Sequence, residues 1–74
     1  MSCDPVSLRR LGAAIRDRRI AMDLSQEQLA ERIGCHRNYV GYVERGEHTP
    51  SYGLLRRFAT GFKCTVSEMI SPAD

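Results

Sequence analysis

The stretch from Ser25 to Gly46, SQEQLAERIGCHRNYVGYVERG, decides how the rest of the chain is read. Ser25 with Gln28 three residues on fits a capping box, in which the serine hydroxyl accepts the third amide proton of a helix and the glutamine side chain reaches back. The helix that starts there carries Leu29, Ala30 and Ile33 on one stripe at helical spacing. Gly34 arrives where a left-handed residue closes a helix and turns the chain, so this helix is only about two turns long. Beyond the turn, Val40 and Val43 supply the next inward face, while Arg37, Asn38, Gly41, Tyr42 and Arg45 fall on the outward one. Long hydrogen-bond donors mixed with small residues suit a surface that must enter a groove.

Two short helices joined by a tight turn are the outline of a helix-turn-helix, and the residues filling it are specific. Arg19, the run Leu24-Ser25-Gln26, the pair Leu29-Ala30, Gly34, Val40, the end Val43-Glu44-Arg45-Gly46 and then Pro50-Ser51 occur together at family spacing. On these, residues 11–70 resemble the lambda-repressor-like helix-turn-helix domains of the XRE, or Cro and cI repressor, family. Any one of these elements alone would be a weak signal.

The resemblance assigns roles. The start of the second motif helix would enter the major groove, so His36, Arg37, Asn38, Gly41 and Tyr42 become the base-reading positions. Arg37 can bond guanine O6 and N7, Asn38 can bond adenine N6 and N7, and the Tyr42 ring can pack on a thymine methyl or its hydroxyl can meet phosphate. His36 stands where the family has a Ser or Thr cap, which leaves open whether it caps or reads a base. Gln26 resembles the family's phosphate clamp, with Arg45 and the Thr49 loop on the same strand. Arg19 and Glu44 occupy positions the family pairs in a mostly buried ion pair; from the residues alone, both could equally be solvated charges. In many single-domain relatives the chain end forms a two-fold interface, which points to Val66, Met69 and Ile70; ordinary core filling is the alternative, equal in weight for Val66.

Composition sets bounds. Seventy-four residues make one domain, residues 1–74, and a chain so short buries only about 60% of its unfolded surface, so association would help it. Eleven basic and nine acidic residues leave a net charge of +2, and the surplus sits in residues 1–46, which hold eight basic and six acidic. That is far weaker than the charge of a nonspecific DNA coater. Ten of the eleven cations are arginine, which forks onto phosphate and guanine better than lysine, although an Arg-rich genome yields the same bias.

Cys3, Cys35 and Cys64 are odd in number, widely spaced and without a CxxC pair, which speaks against a disulfide framework or a zinc site. Cys35, His36 and His48 read better as a turn thiol and two solvent-edge imidazoles than as metal ligands. No cofactor is expected. No apolar run approaches the roughly 20 residues of a membrane span and no signal-peptide core stands at the N-terminus, so the expected compartment is the cytoplasm.

The flanks complete an expected five-helix, all-α bundle. A first helix should run from about Pro5 to Met22, capped by Asp4, with Leu8, Leu11, Ile15 and Met22 inward and Gly12 and Ala14 admitting a neighbour. Arg18 where relatives carry an aliphatic residue, and Ile20 where they carry a polar one, suggest a more solvated flank. Asp23 replaces the usual glycine in the turn and tolerates the left-handed conformation at some cost. After the loop around Pro50, Ser51 caps a fourth helix over about Tyr52 to Phe62, with Leu54, Leu55, Phe58, Ala59 and Phe62 inward and Gly53 and Gly61 weakening it. Thr65 and Glu68 box a last short helix through Ile70, after which Ser71 to Asp74 should fray.

These features imply a sequence-specific double-stranded-DNA-binding transcriptional regulator, acting as a homodimer on a pseudo-palindromic operator. Length and the run Tyr39 to Gly46 resemble the controller proteins of restriction-modification systems. The rival is an antitoxin-type protein-interaction module with secondary DNA binding. Catalysis is not expected, because no nucleophile, base or paired-carboxylate arrangement sits on a scaffold able to exclude water, and no small-molecule effector is expected.

Overall fold

The computed structural model describes residues 5–70, with side chains for 8–69. Five helices follow in order: α1 (Pro5–Ala21), α2 (Gln26–Ile33), α3 (Arg37–Glu44), α4 (Tyr52–Gly61) and α5 (Val66–Ile70), with no strand among the described residues. The expected cap at Asp4, the thiol of Cys3, the Ile70 side chain and the fraying of Ser71 to Asp74 lie outside the described residues.

Local chemistry explains each boundary. At Ser25 the hydroxyl accepts the Gln28 N–H at 3.0 Å while the Ser25 N–H donates to Gln28 Oε1 at 2.8 Å. Thr65 and Glu68 repeat the box at 3.0 and 2.9 Å, and the Ser51 hydroxyl accepts the Leu54 N–H. α1 stops one residue earlier than the sequence suggests, because Asp23 takes φ 61° and the Asp23 and Leu24 amides fold back onto the Ile20 and Arg19 carbonyls. That is a Schellman stop built without glycine. α4 ends the same way, with Lys63 at φ 59° and the Lys63 and Cys64 amides on the Thr60 and Ala59 carbonyls.

The core joins Ile15 of α1, Leu29, Ala30 and Ile33 of α2, Val40 and Val43 of α3, Phe58 and Ala59 of α4, Phe62 just after it and Met69 of α5. Leu8, Leu11, Met22, Leu54 and Leu55, expected inside, are only half-buried, since α1 and α4 lie at the edges of so small a bundle. Met69 corrects another expectation. It is 1% exposed, packed in its own chain's core, and so is not free to face a second subunit. Core filling accounts for it, and half-buried Val66 packs against the same cluster.

Two glycines fix how closely the helices pack. A Cβ at Gly12 would overlap the backbone carbonyl oxygens of Val43 and Glu44, so only glycine lets α1 lie against the end of α3. Gly61 is not the weak point it looks in sequence: a Cβ there would come within 2.7 Å of Ile33 Cγ2, where α4 meets α2. Arg18 is likewise not simply solvated. It is half-buried and its Nη2 donates to the Glu68 carbonyl at 3.1 Å, tying α1 to the C-terminal turn of α5. Ile20 is half exposed, as the sequence suggests.

Candidate nucleic-acid interface

α2 and α3 meet in an open concavity of about 650 Å³ that brings together seven positions singled out in the sequence: Arg19, Gln26, Arg37, Asn38, Gly41, Tyr42 and Arg45. Ser25 and Glu27 complete it. The buried side of this surface is an ion pair. Arg19 Nε donates to Glu44 Oε2 at 2.6 Å and Nη2 to Glu44 Oε1 at 3.1 Å, with the side chains 13% and 3% exposed. Arg19 Nη1 also donates to the Leu24 carbonyl at 2.8 Å, and Gln26 Nε2 donates to Glu44 Oε1 at 3.0 Å. Every charge-bearing atom of the pair is thereby partnered, and α1, the α1–α2 turn, α2 and α3 share one network.

Gln26 therefore spends one amide proton inward. Its second Nε2 proton, and the backbone N–H groups of Gln26 and Glu27, remain for an anion, the Gln28 N–H being taken by the Ser25 hydroxyl. Gly41 lies on the outward helix face but is not open: it is buried under Arg45, whose Nη1 would sit 3.0 Å from an added Cβ, with Gln26 Oε1 at 3.6 Å. Its smallness shapes the floor of the concavity.

His36 acts as a cap. Its backbone is extended at φ −81° and ψ 143°, and its Nδ1 accepts the Asn38 N–H at 3.1 Å. An imidazole can do what a serine hydroxyl does when its lone pair points back along the chain; accepting at Nδ1 puts the ring proton on exposed Nε2. Thr49 lies in the exposed α3–α4 loop outside the concavity. His48 Nδ1 is 3.1 Å from the Thr49 carbonyl and 3.2 Å from the Tyr39 hydroxyl, and the Tyr39 and His48 rings meet edge to face at 4.7 Å. This contact fastens the loop to α3.

The sequence reading missed two carboxylates. Glu27 Oε1 lies 3.7 Å from Arg37 Nη1, and Glu47 accepts from Arg45 Nε at 3.1 Å and Nη2 at 3.3 Å. Arg45 also lies over the Tyr42 ring, 5.4 Å from its centre. The hydrogen bonds to Glu47 hold the Arg45 guanidinium above its ordinary range, so it stays charged. Neither acid stands at a spacing that announces its partner. Burial pushes the Cys35 thiol up, against the opposing effect of Arg57, and pushes the Tyr39 phenol up as well. Both stay protonated near neutral pH, which suits structural roles. Among the described residues no His, Cys, Asp and Glu cluster could hold a metal ion, and no helix is long and apolar enough to cross a membrane.

Comparison with known proteins agrees with this geometry. A helix-turn-helix domain family model matches residues 10–69. The control protein C.SmaI of Serratia marcescens is 38% identical over 61 residues, which are 82% of this chain and 73% of that protein. The crystal structure of the restriction-modification controller protein C.AhdI from Aeromonas hydrophila superposes with a TM-score of 0.84 at 38% identity, covering 86% of this chain and 97% of that one. The clp gene regulator ClgR from C. glutamicum gives 0.84 at 26% identity over 95% and 90%. With its α2–α3 motif and these relatives, the chain belongs to the helix-turn-helix family of DNA-binding transcriptional regulators that includes the restriction-modification controller proteins.

Proposed function

We propose that the protein controls a restriction-modification system as a homodimer bound to a pseudo-palindromic operator, one α3 in the major groove of each half-site. The observation that carries this reading is the outer face of α3, where exposed Arg37, Asn38 and Tyr42 surround a floor braced by the Arg19–Glu44–Gln26 network. Such a scaffold holds base-reading side chains in register. Selection from random duplexes tests it. A two-fold symmetric consensus with half-sites about 10 base pairs, or a simple multiple, apart is expected. An asymmetric consensus, or half-sites on opposite faces of the duplex, would overturn it.

Within this reading Arg37 reads a guanine, Asn38 and Tyr42 read neighbours, and His36 offers Nε2–H while it caps. Gln26, Arg45 and Thr49 hold phosphate. Arg37→Ala should relax selection at one position in each half-site, costing about 1–3 kcal/mol of discrimination there. Gln26→Ala should weaken cognate and scrambled duplexes alike, by about 1 kcal/mol per subunit, with little change in salt slope, since it releases no counterion. Binding titrations against both duplexes decide: equal losses from Arg37→Ala, with a shallower salt dependence, would make Arg37 a phosphate contact.

With Met69 committed to the core, dimerisation in this reading rests on Ile70 and the exposed part of Val66. Ile70→Asp should shift sedimentation toward monomer and weaken operator binding. An unchanged dimer would point to another face. Dimerisation linked to DNA binding then makes occupancy a steep function of the protein's own concentration.

A further inference from the structure

A second concavity, of about 670 Å³, opens where the last turn of α2 meets α4, and it shares no lining residue with the first. Its rim carries Arg32, Arg56, Arg57 and Lys63, all exposed, and its floor is Ile33 with the bare backbone of Gly53 and Gly61. The contrast with the α2–α3 surface is one of charge. There each arginine has its own glutamate, whereas none of these four cations belongs to an ion pair among the described residues. Two of them are nevertheless held in place. Arg32 Nη1 donates to the Gly61 carbonyl at 3.3 Å and Arg57 Nη1 to the Gly34 carbonyl at 3.4 Å, both at helix C-termini, whose dipoles favour a cation. The arginine stems extend the apolar floor upward.

We propose that this groove docks an acidic segment of a protein partner, one that seats an apolar side chain between carboxylates. Four cations, two of them held in place, around an apolar floor ask for negative charge and apolar surface in the same ligand. A DNA backbone would satisfy the cations and leave the floor wet, so the peptide fits better. The inference goes beyond the DNA-binding reading and does not depend on it. Since the first turn of α2 serves one concavity and its last turn the other, about 9 Å apart along the helix, DNA and partner can be held together.

The test uses the full ¹⁵N-labelled chain, free and bound to its selected duplex, titrated with a twelve-residue peptide carrying one central leucine flanked by glutamates. Saturable amide shifts at Ile33, Arg56 and Gly61 are expected in both states. Changing the peptide's leucine to serine should weaken binding about fivefold or more. Arg56→Glu with Lys63→Glu should weaken it at least about tenfold while duplex affinity stays within twofold. These two side chains make no hydrogen bond among the described residues, and Arg56→Gln serves if the double variant melts early. Equal binding of the serine peptide would reduce the groove to a loose counter-ion surface, and absent groove shifts would remove it as a site. If nonspecific duplex moved the groove amides and displaced the peptide, flanking DNA would be the occupant; each of these results overturns the proposal.

Discussion

Replacing Glu44 with alanine should cost about 3–5 kcal/mol in chemical denaturation, the largest loss expected from a single charged residue here. Glu44 is nearly inaccessible and accepts three side-chain hydrogen bonds, two from Arg19 and one from Gln26. Its removal strands a buried guanidinium whose remaining partner is the Leu24 carbonyl, and it frees the Gln26 amide. A domain of this size has roughly 4–11 kcal/mol of stability in all, so the variant would be partly or wholly unfolded at growth temperature. The companion variant separates stability from geometry. Arg19→Met with Glu44→Leu removes both charges and should recover most of the loss, because desolvation cancels much of the pair's attraction. It should still bind DNA more weakly, since nothing then anchors Gln26 across from α3. A loss below 1 kcal/mol for Glu44→Ala would mean that Arg19 escapes to solvent.

Gly12→Ala should destabilise by about 3 kcal/mol or more, the upper range for overpacking. The sign is the informative part. In an open helix interior the same change would stabilise by roughly 0.5–1 kcal/mol, because alanine restricts the unfolded chain. Here the added methyl meets backbone oxygen atoms of Val43 and Glu44, which have no rotamer to move into, so the end of α3 must shift as a unit. The shift would carry Arg37, Asn38 and Tyr42 with it. At a temperature where the variant is still folded, cognate affinity should therefore fall more than nonspecific affinity. Thermal melting and duplex titration check both parts, and a raised melting temperature would refute the packing argument.

What the sequence reveals here is what neighbours along the chain decide. Ser25 with Gln28, Thr65 with Glu68 and the glycine at 34 lie within a few residues of their partners, so caps and turns are legible, and the five-helix plan follows. Met69 is different: whether an apolar residue on a five-residue helix faces its own core or another subunit depends on where α1 and α4 come to rest. Arg18 depends on the same placement, since its partner is fifty residues away. His36 is ambiguous in sequence because an imidazole caps only when its ring turns back toward the Asn38 amide, a rotamer the sequence does not carry. Glu27 and Glu47 are not legible in the sequence because each looks like ordinary surface charge until the arginine it meets is in place. Gly41 lay on the right face, but only Arg45 folding over it decides how open that face is.

If α3 enters the groove as proposed, Glu27 beside Arg37 and Glu47 beside Arg45 sit as tenants in the seats that base edges and phosphates would take. On an arbitrary duplex, each phosphate contact made by these arginines is an exchange of one anion for another. Fewer counterions are released than the arginine count suggests, and nonspecific grip is correspondingly slight. Only where base edges add their own bonds does the exchange run clearly forward. A regulator built this way spends little time parked on irrelevant genome, so the freely diffusing pool follows the amount synthesised with little delay.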